Sequence, residues 1–234
     1  MKDSKILKGS MESLSLFCLD TCKHKDLFSN LEYPWEALEK LPIYLLEQSL
    51  GKIEINIASG VLLIDPDKIS IGPGTIIEPG AYIQGPCVIG RDCQIRQGAY
   101  IRGNVLIADQ CVIGHGSEIK HSIFFNKATA PHFNYVGDSI LGNNVNLGAG
   151  VKCANYRLDH QCISVHWGQQ KIKTRLKKLG ACVGDNSQIG CNTVINPGTC
   201  IGKDVICYPN VTLQRYVSPK SLVKSSSHMM VESL

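Results

Sequence analysis

The sequence predicts an all-β chain wound as a parallel β-helix of six-residue repeats, with a short helical segment at its N-terminus. Three observations carry this. Isoleucine recurs at Ile71, Ile77, Ile83, Ile89, Ile95, Ile101, Ile107, Ile113 and Ile119, nine positions six residues apart. Two residues before each, from the second onward, stand the small or β-branched Thr75, Ala81, Cys87, Cys93, Ala99, Val105, Cys111 and Ser117. A period of six matches neither a helix nor a plain strand; it fits a short strand followed by a corner, and many corners carry Gly, Asp or Asn.

Three strands and three corners close a triangular coil of about eighteen residues, so stacked coils set isoleucine on isoleucine. The rhythm returns at Leu141 and Leu147 and again at Val183, Ile189, Ile195 and Ile201, with Ala181, Ser187, Thr193 and Thr199 as the small partners. The prism is expected over residues 53–213, inside a domain spanning 51–215. End coils of a solenoid need covering. Residues 1–50 hold Trp35, Leu38, Leu41 and Leu45 at roughly helical spacing, interrupted by Pro34 and Pro42, and are expected to form short helices that cap one end. Residues 216–234 are expected as a tail that covers the other end or hangs free.

With 234 residues, 44% of them hydrophobic and 19% charged, the chain reads as a folded globular domain. A net charge of +4 is too small for a nucleic-acid binder and suits a small anionic ligand. Eleven cysteines form no paired CxxC arrangement, so most are expected as small buried apolar residues, reduced in a cytoplasmic protein. The start, MKDSKILKGSMESLSLFCLD, scatters charges and has no unbroken apolar core, which argues against a signal peptide or a membrane span.

Function is expected where the rhythm breaks. Residues 121–138, HSIFFNKATAPHFNYVGD, lose the isoleucine spacing and bring His, Lys and Tyr together. Residues 155–181 leave the coil as a long excursion with five basic residues from Lys171 to Lys178. Acyl transfer from a thioester to an amine needs a base for the amine's proton, and histidine does this near neutral pH. His132 is the candidate, although alone after a proline it would read as a surface histidine. Arg102, Lys120 and Lys127 precede it and supply the cations that a phosphate on the acceptor requires. The basic excursion suits phosphates on a donor such as coenzyme A.

Arg102-Gly103, Glu118-Ile119-Lys120, PHFNYVGD at 131–138, NNVNLGAG at 143–150 and Asn155-Tyr156 follow in order. In order and spacing they resemble the acetyltransferase domain of the bifunctional N-acetylglucosamine-1-phosphate uridyltransferases. RLKKLGA at 175–181, VGD at 183–185 and INPG at 195–198 resemble the sugar-1-phosphate nucleotidylyltransferases that carry a C-terminal hexapeptide domain. The resemblance covers residues 70–213. It implies left-handed coils and a homotrimer with active sites between subunits, using acetyl-CoA and glucosamine 1-phosphate without a metal, in UDP-N-acetylglucosamine synthesis. His132 would be the general base, Arg102 and Lys120 would hold the sugar phosphate, and Tyr135 and Asn146 would position the sugar. Asn155 would reach the reacting groups from a facing subunit. The amide of Ala149 would stabilise the oxyanion, and Ala149, Tyr156, Cys191 and Pro209 would line the donor site. Where the family has a lysine shortly after the Asn-Tyr pair, Gln161 stands, with Lys171 or Lys173 as its replacement.

Residues 1–50 carry no Gly-rich nucleotide loop, so uridylyl transfer is not expected of them. His115 and His121 lie six apart, whereas resemblance to trimeric β-helical carbonic anhydrases would ask for five, and no zinc site is expected. The basic excursion also reads as a solvated loop, and Tyr156 as a packing aromatic. The rival functions are a non-catalytic trimeric module that binds sugar nucleotides or a partner enzyme, and acyl transfer from an acyl carrier protein.

Overall fold

A computed structural model of the chain describes residues 16–167 and 170–225. Its coil strands are two to four residues long and build three eight-stranded parallel sheets, the faces of a left-handed triangular prism. Face A runs from Ile69–Ile71 through Ser122–Phe124 to Tyr216–Val217. Face B runs from Leu62–Ile64 through Tyr135–Gly137 to Thr212–Leu213, and face C from Ile76–Ile77 through Thr129–His132 to Leu222–Val223. Ile71 pairs with Ile89, Ile77 with Ile95 and Ile83 with Ile101, so the repeat positions stack into one buried column. Each isoleucine buried in this way contributes about 1.5–3 kcal/mol relative to an exposed one.

Residues 121–138 stay within the coil. Their spacing changes because the corner from face B to face A loses one residue twice: inward positions run from Ile119 to Phe124 and from Val136 to Leu141. The register follows, Ile119 pairing with Val136 and Val136 with Cys153. Phe124 fills its inward slot with a larger ring, and the neighbouring inward residues Ala128 and Ala130 are correspondingly small.

The coil begins at the bridge between Ile53 and Ile71 and runs past residue 215, where Tyr216–Val217 and Leu222–Val223 add two further strands. Val217 and Val223 pack against the inner column, which is why this part of the expected tail stays on the prism. Residues 226–234 of that tail, and residues 1–15 of the N-terminal segment, lie outside the described residues.

The helix expected near the N-terminus is Glu36–Leu46, burying Ala37, Leu38, Leu41 and Leu45 with Pro42 inside it. It caps no end of the prism. With the 3-10 turn Lys25–Phe28 it lies along face A, whose outward residues Leu106, Ile123, Ile140, Cys182 and Cys200 are apolar and form a second core with it. Phe125 stacks on Phe17 with ring centroids 5.0 Å apart and meets Phe28 at 5.2 Å. The excursion covers the same face: Ser164–Trp167 and Gln170–Lys173 form an antiparallel hairpin, and Trp167 approaches Trp35 and Tyr216. An apolar outward column requires a lateral cover, and the N-terminal segment and the hairpin supply it.

All eleven cysteines are free. Cys87, Cys93, Cys111, Cys153 and Cys207 belong to the inner core, and burial pushes the Cys153 thiol up to about 12. Among the described residues no helix is long and apolar enough to cross a membrane.

Candidate active site

At the corner where face C turns into face B, successive coils stack a ridge of candidate residues. His115 and His132 are register partners. In the next coil the Gly150 amide donates to the His132 carbonyl at 2.9 Å, beside Ala149. Asn192 then donates to the Ala149 carbonyl at 2.8 Å and Asn210 to that of Cys191 at 2.9 Å, which continues the ridge through Cys191 and Pro209. His132, Ala149, Cys191 and Pro209 therefore share one edge of the prism. The His132 amide donates to Asn134 Oδ1 at 3.0 Å, and Asn134 Nδ2 donates to the Gly148 carbonyl at 2.8 Å. This buried amide pins the His132 backbone to the Gly148–Gly150 corner and leaves the imidazole exposed.

A second group stands on face B, three residues from His132 and so within about 10 Å of chain. Tyr135 lies in register between Glu118 and Lys152, and Lys120 is in register with Gly137. Arg102 pairs with Glu118 at 2.7 Å. Asp138, buried at the corner from face B to face A, accepts from Lys120 Nζ at 3.1 Å, from His121 Nδ1 at 2.8 Å and from Asn155 Nδ2. Burial alone would raise the Asp138 carboxyl, but the bonds from His121 and Asn155 and the charge of Lys120 outweigh it and hold the group below its ordinary value. Burial, with the charges of Glu118 and Asp138, raises the Tyr135 phenol and keeps it a hydroxyl. A Cβ on Gly137 would come within 2.6 Å of Tyr135 Oη and 2.7 Å of Asn155 Nδ2, so the bare α-carbon is what lets these two meet across the strand.

The fold thus gathers Arg102, Lys120, Tyr135 and Asn155 within one chain. Asn155, expected to arrive from a facing subunit, is tethered to Asp138 of its own. Asn146 stands on face C, on the other side of the His132 edge, and accepts from Thr129 Oγ1 at 2.7 Å. Tyr156 is exposed and bonds His160 Nδ1 at 2.9 Å. Lys171 and Lys173 sit on the hairpin over face A, opposite His166 and Ser164, and are not brought to His132 within the chain. Lys127 lies at the corner from face A to face C, away from the cluster. His115 Nδ1 bonds the Gln97 carbonyl, so His115 and His121 occupy different corners, and among the described residues no three candidate ligands converge as a metal site. Reasoning from sequence gave no role to Asn134, Asp138 and Lys152, and weighed His121 only as a metal ligand. A polar Asn134 in a slot otherwise small or apolar, and the two shortened corners at His121 and Asp138, were the available signals.

Residues 83–166 match the family profile described as "GMPPB C-terminal domain". The "Bifunctional sugar-1-phosphate nucleotidylyltransferase/acetyltransferase" of Sulfurisphaera tokodaii is 30% identical over 200 residues, 83% of this chain and 48% of that protein. The "Uncharacterized acetyltransferase YaiX" of Escherichia coli is 33% identical over 189 residues, 77% of this chain and 82% of that protein. Among solved structures, the UDP-N-acetylglucosamine acyltransferase from Campylobacter jejuni aligns with a TM-score of 0.45 at 18% identity, covering 73% of this chain and 70% of that one. The chain spans about half the length of the first curated relatives it matches. Because the match to the acetyltransferase of Escherichia coli runs along most of both chains, on a chain that is itself mostly the repeat coil, the chain belongs to the hexapeptide-repeat acyltransferases.

Proposed function

We propose that the chain moves an acetyl group from acetyl-CoA to the amine of glucosamine 1-phosphate or a close amino-sugar 1-phosphate, and that uridylyl transfer is no part of its activity. The observation that carries this is the exposed His132 imidazole beside a face on which Arg102, Lys120, Tyr135 and Asn155 converge. Arg102 and Lys120 bind the sugar phosphate, sharing their protons with Glu118 and Asp138. Tyr135, Asn146 and Asn155 orient the sugar. His132 takes the amine proton as nitrogen attacks the thioester carbonyl, and returns it to the thiolate as the carbon–sulfur bond breaks. The Ala149 N–H, which donates to no backbone carbonyl among the described residues, faces the developing oxyanion.

Coenzyme A follows the ridge past Ala149, Cys191 and Pro209. Tyr156, Lys171 and Lys173 meet it from a neighbouring copy, in a homotrimer that uses faces B and C, uncovered among the described residues, with Leu62 exposed on face B and Ile76, Ile206 and Leu222 on face C. The test is thiol release from acetyl-CoA with glucosamine 1-phosphate, on protein whose mass is read by light scattering. Turnover is expected from a trimer, with a loss of about 100-fold or more in His132→Ala. A folded trimer without turnover would move the assignment to another acyl donor or to a non-catalytic module, and a clean monomer would remove the shared site.

A further inference from the structure

We propose that Asp138 is a positioning residue for the acceptor site, and that the N-terminal helix Glu36–Leu46 braces it through His121; this rests on the reading of Lys120 and Asn155 as acceptor-binding groups. Asp138 is only 3% exposed, at the shortened corner that follows Gly137. Its two carboxylate oxygens take Lys120, His121 and Asn155 together. An anionic carboxylate offers about four acceptor positions and can hold all three, which an amide of the same shape cannot. Lys120 and Asn155 come from positions far apart in sequence and have no other shared partner among the described residues, so their relative placement is set by this one carboxylate.

The helix enters from the other side of His121. Pro42 lacks the amide proton that would bond the carbonyl four residues back, that of Leu38. That carbonyl is taken instead by His121 Nε2 at 2.8 Å. Both ring nitrogens of His121 thus face oxygens that only accept, one on the helix backbone and one on Asp138. A chain of contacts runs from the helix backbone through His121 and Asp138 to Lys120 and Asn155. The proline inside the helix marks where the cover of face A is joined to the candidate site on face B.

Two variants test this: Asp138→Asn, which keeps the shape of the side chain, and His121→Ala, which removes the brace and leaves Lys120 and Asn155 in place. The readout that needs no substrate is the rate of reductive methylation at Lys120, followed by peptide mass spectrometry against the exposed Lys127 as reference. Lys120 is expected to react about three- to tenfold faster in both variants, as a charge-assisted bond is lost or loosened. In turnover, the Michaelis constant for glucosamine 1-phosphate should rise about tenfold in Asp138→Asn, with that for acetyl-CoA within about twofold. Unchanged Lys120 reactivity in both variants overturns the proposal whatever the acceptor proves to be, and so does an equal rise in both Michaelis constants. If wild-type protein ignores glucosamine 1-phosphate while Lys120 still loosens in the variants, the substrate assignment has failed and the positioning role stands.

Discussion

Face A and faces B and C are cut from the same repeat and have opposite fates. All three turn Ile, Val, Ala or Cys inward, and the inner column does not distinguish them. Outward, face A presents Leu106, Ile123, Ile140, Cys182 and Cys200 and is roofed by the chain's own N-terminal segment and hairpin. Face B presents Arg102, Glu118, Lys120, Tyr135 and Lys152, and face C presents Asn146; neither is roofed by the N-terminal segment or the hairpin among the described residues. Inward residues therefore build the prism, and outward residues distinguish the faces: the apolar column of face A collects a cover, and the polar residues of face B gather into the candidate site.

The largest break in that contrast should come from Phe125→Ala. Phe125 is 1% exposed, between Phe17 and Phe28, and its loss opens a cavity between prism and cover worth about 3–5 kcal/mol. Urea denaturation should show this loss, while acetyl transfer well below the transition persists because no group on the His132 edge has moved. A loss under about 1 kcal/mol would mean that the cover contributes little to stability.

Asp138 sits where the two regions join, and acid should separate them. Its folded-state value lies below the ordinary 3.8, so its contribution is complete above that value and fades as pH falls through the folded one. Wild-type protein should therefore exceed Asp138→Asn in urea midpoint near neutral pH, and the gap should narrow below pH 3.8. A gap that ignores pH would show that the carboxylate charge is not what joins helix and site.

The inward half of this design was legible and the outward half only in part. Nine isoleucines at one spacing declare the coil, because burial forces a strict period on every inward position. Outward positions carry no such period, so nothing in the spacing of Leu106, Ile123 and Ile140 announced that residues 16–48 would lie along a face rather than on an end. His132, Arg102 and Lys120 were visible as motif residues. Asp138 was visible only as part of a string, because its role depends on His121 and Asn155 arriving from neighbouring coils, and on a carbonyl freed by Pro42 far away in the sequence. Lys171 and Lys173 drew notice by charge, yet their hairpin is held by Val165, Trp167 and Ile172 beneath it, apolar residues that the charge run concealed.

The mildest change sharpens the contrast furthest. Arg102 and Glu118 form an ion pair at 2.7 Å with side chains 40% and 33% exposed, and solvent screens such a pair to within about 0.5 kcal/mol of no effect on stability. Arg102→Ala should leave the urea midpoint almost unmoved while raising the Michaelis constant for the sugar phosphate about tenfold, since a charge-assisted contact present before and during reaction is removed. On face A the same scale of truncation should do the reverse, lowering stability and sparing the constant. If Arg102→Ala instead lowered stability by more than about 1 kcal/mol with the constant unchanged, face B would be stabilising the fold in the way face A does, and the division of labour between the faces would fail at its most exposed point.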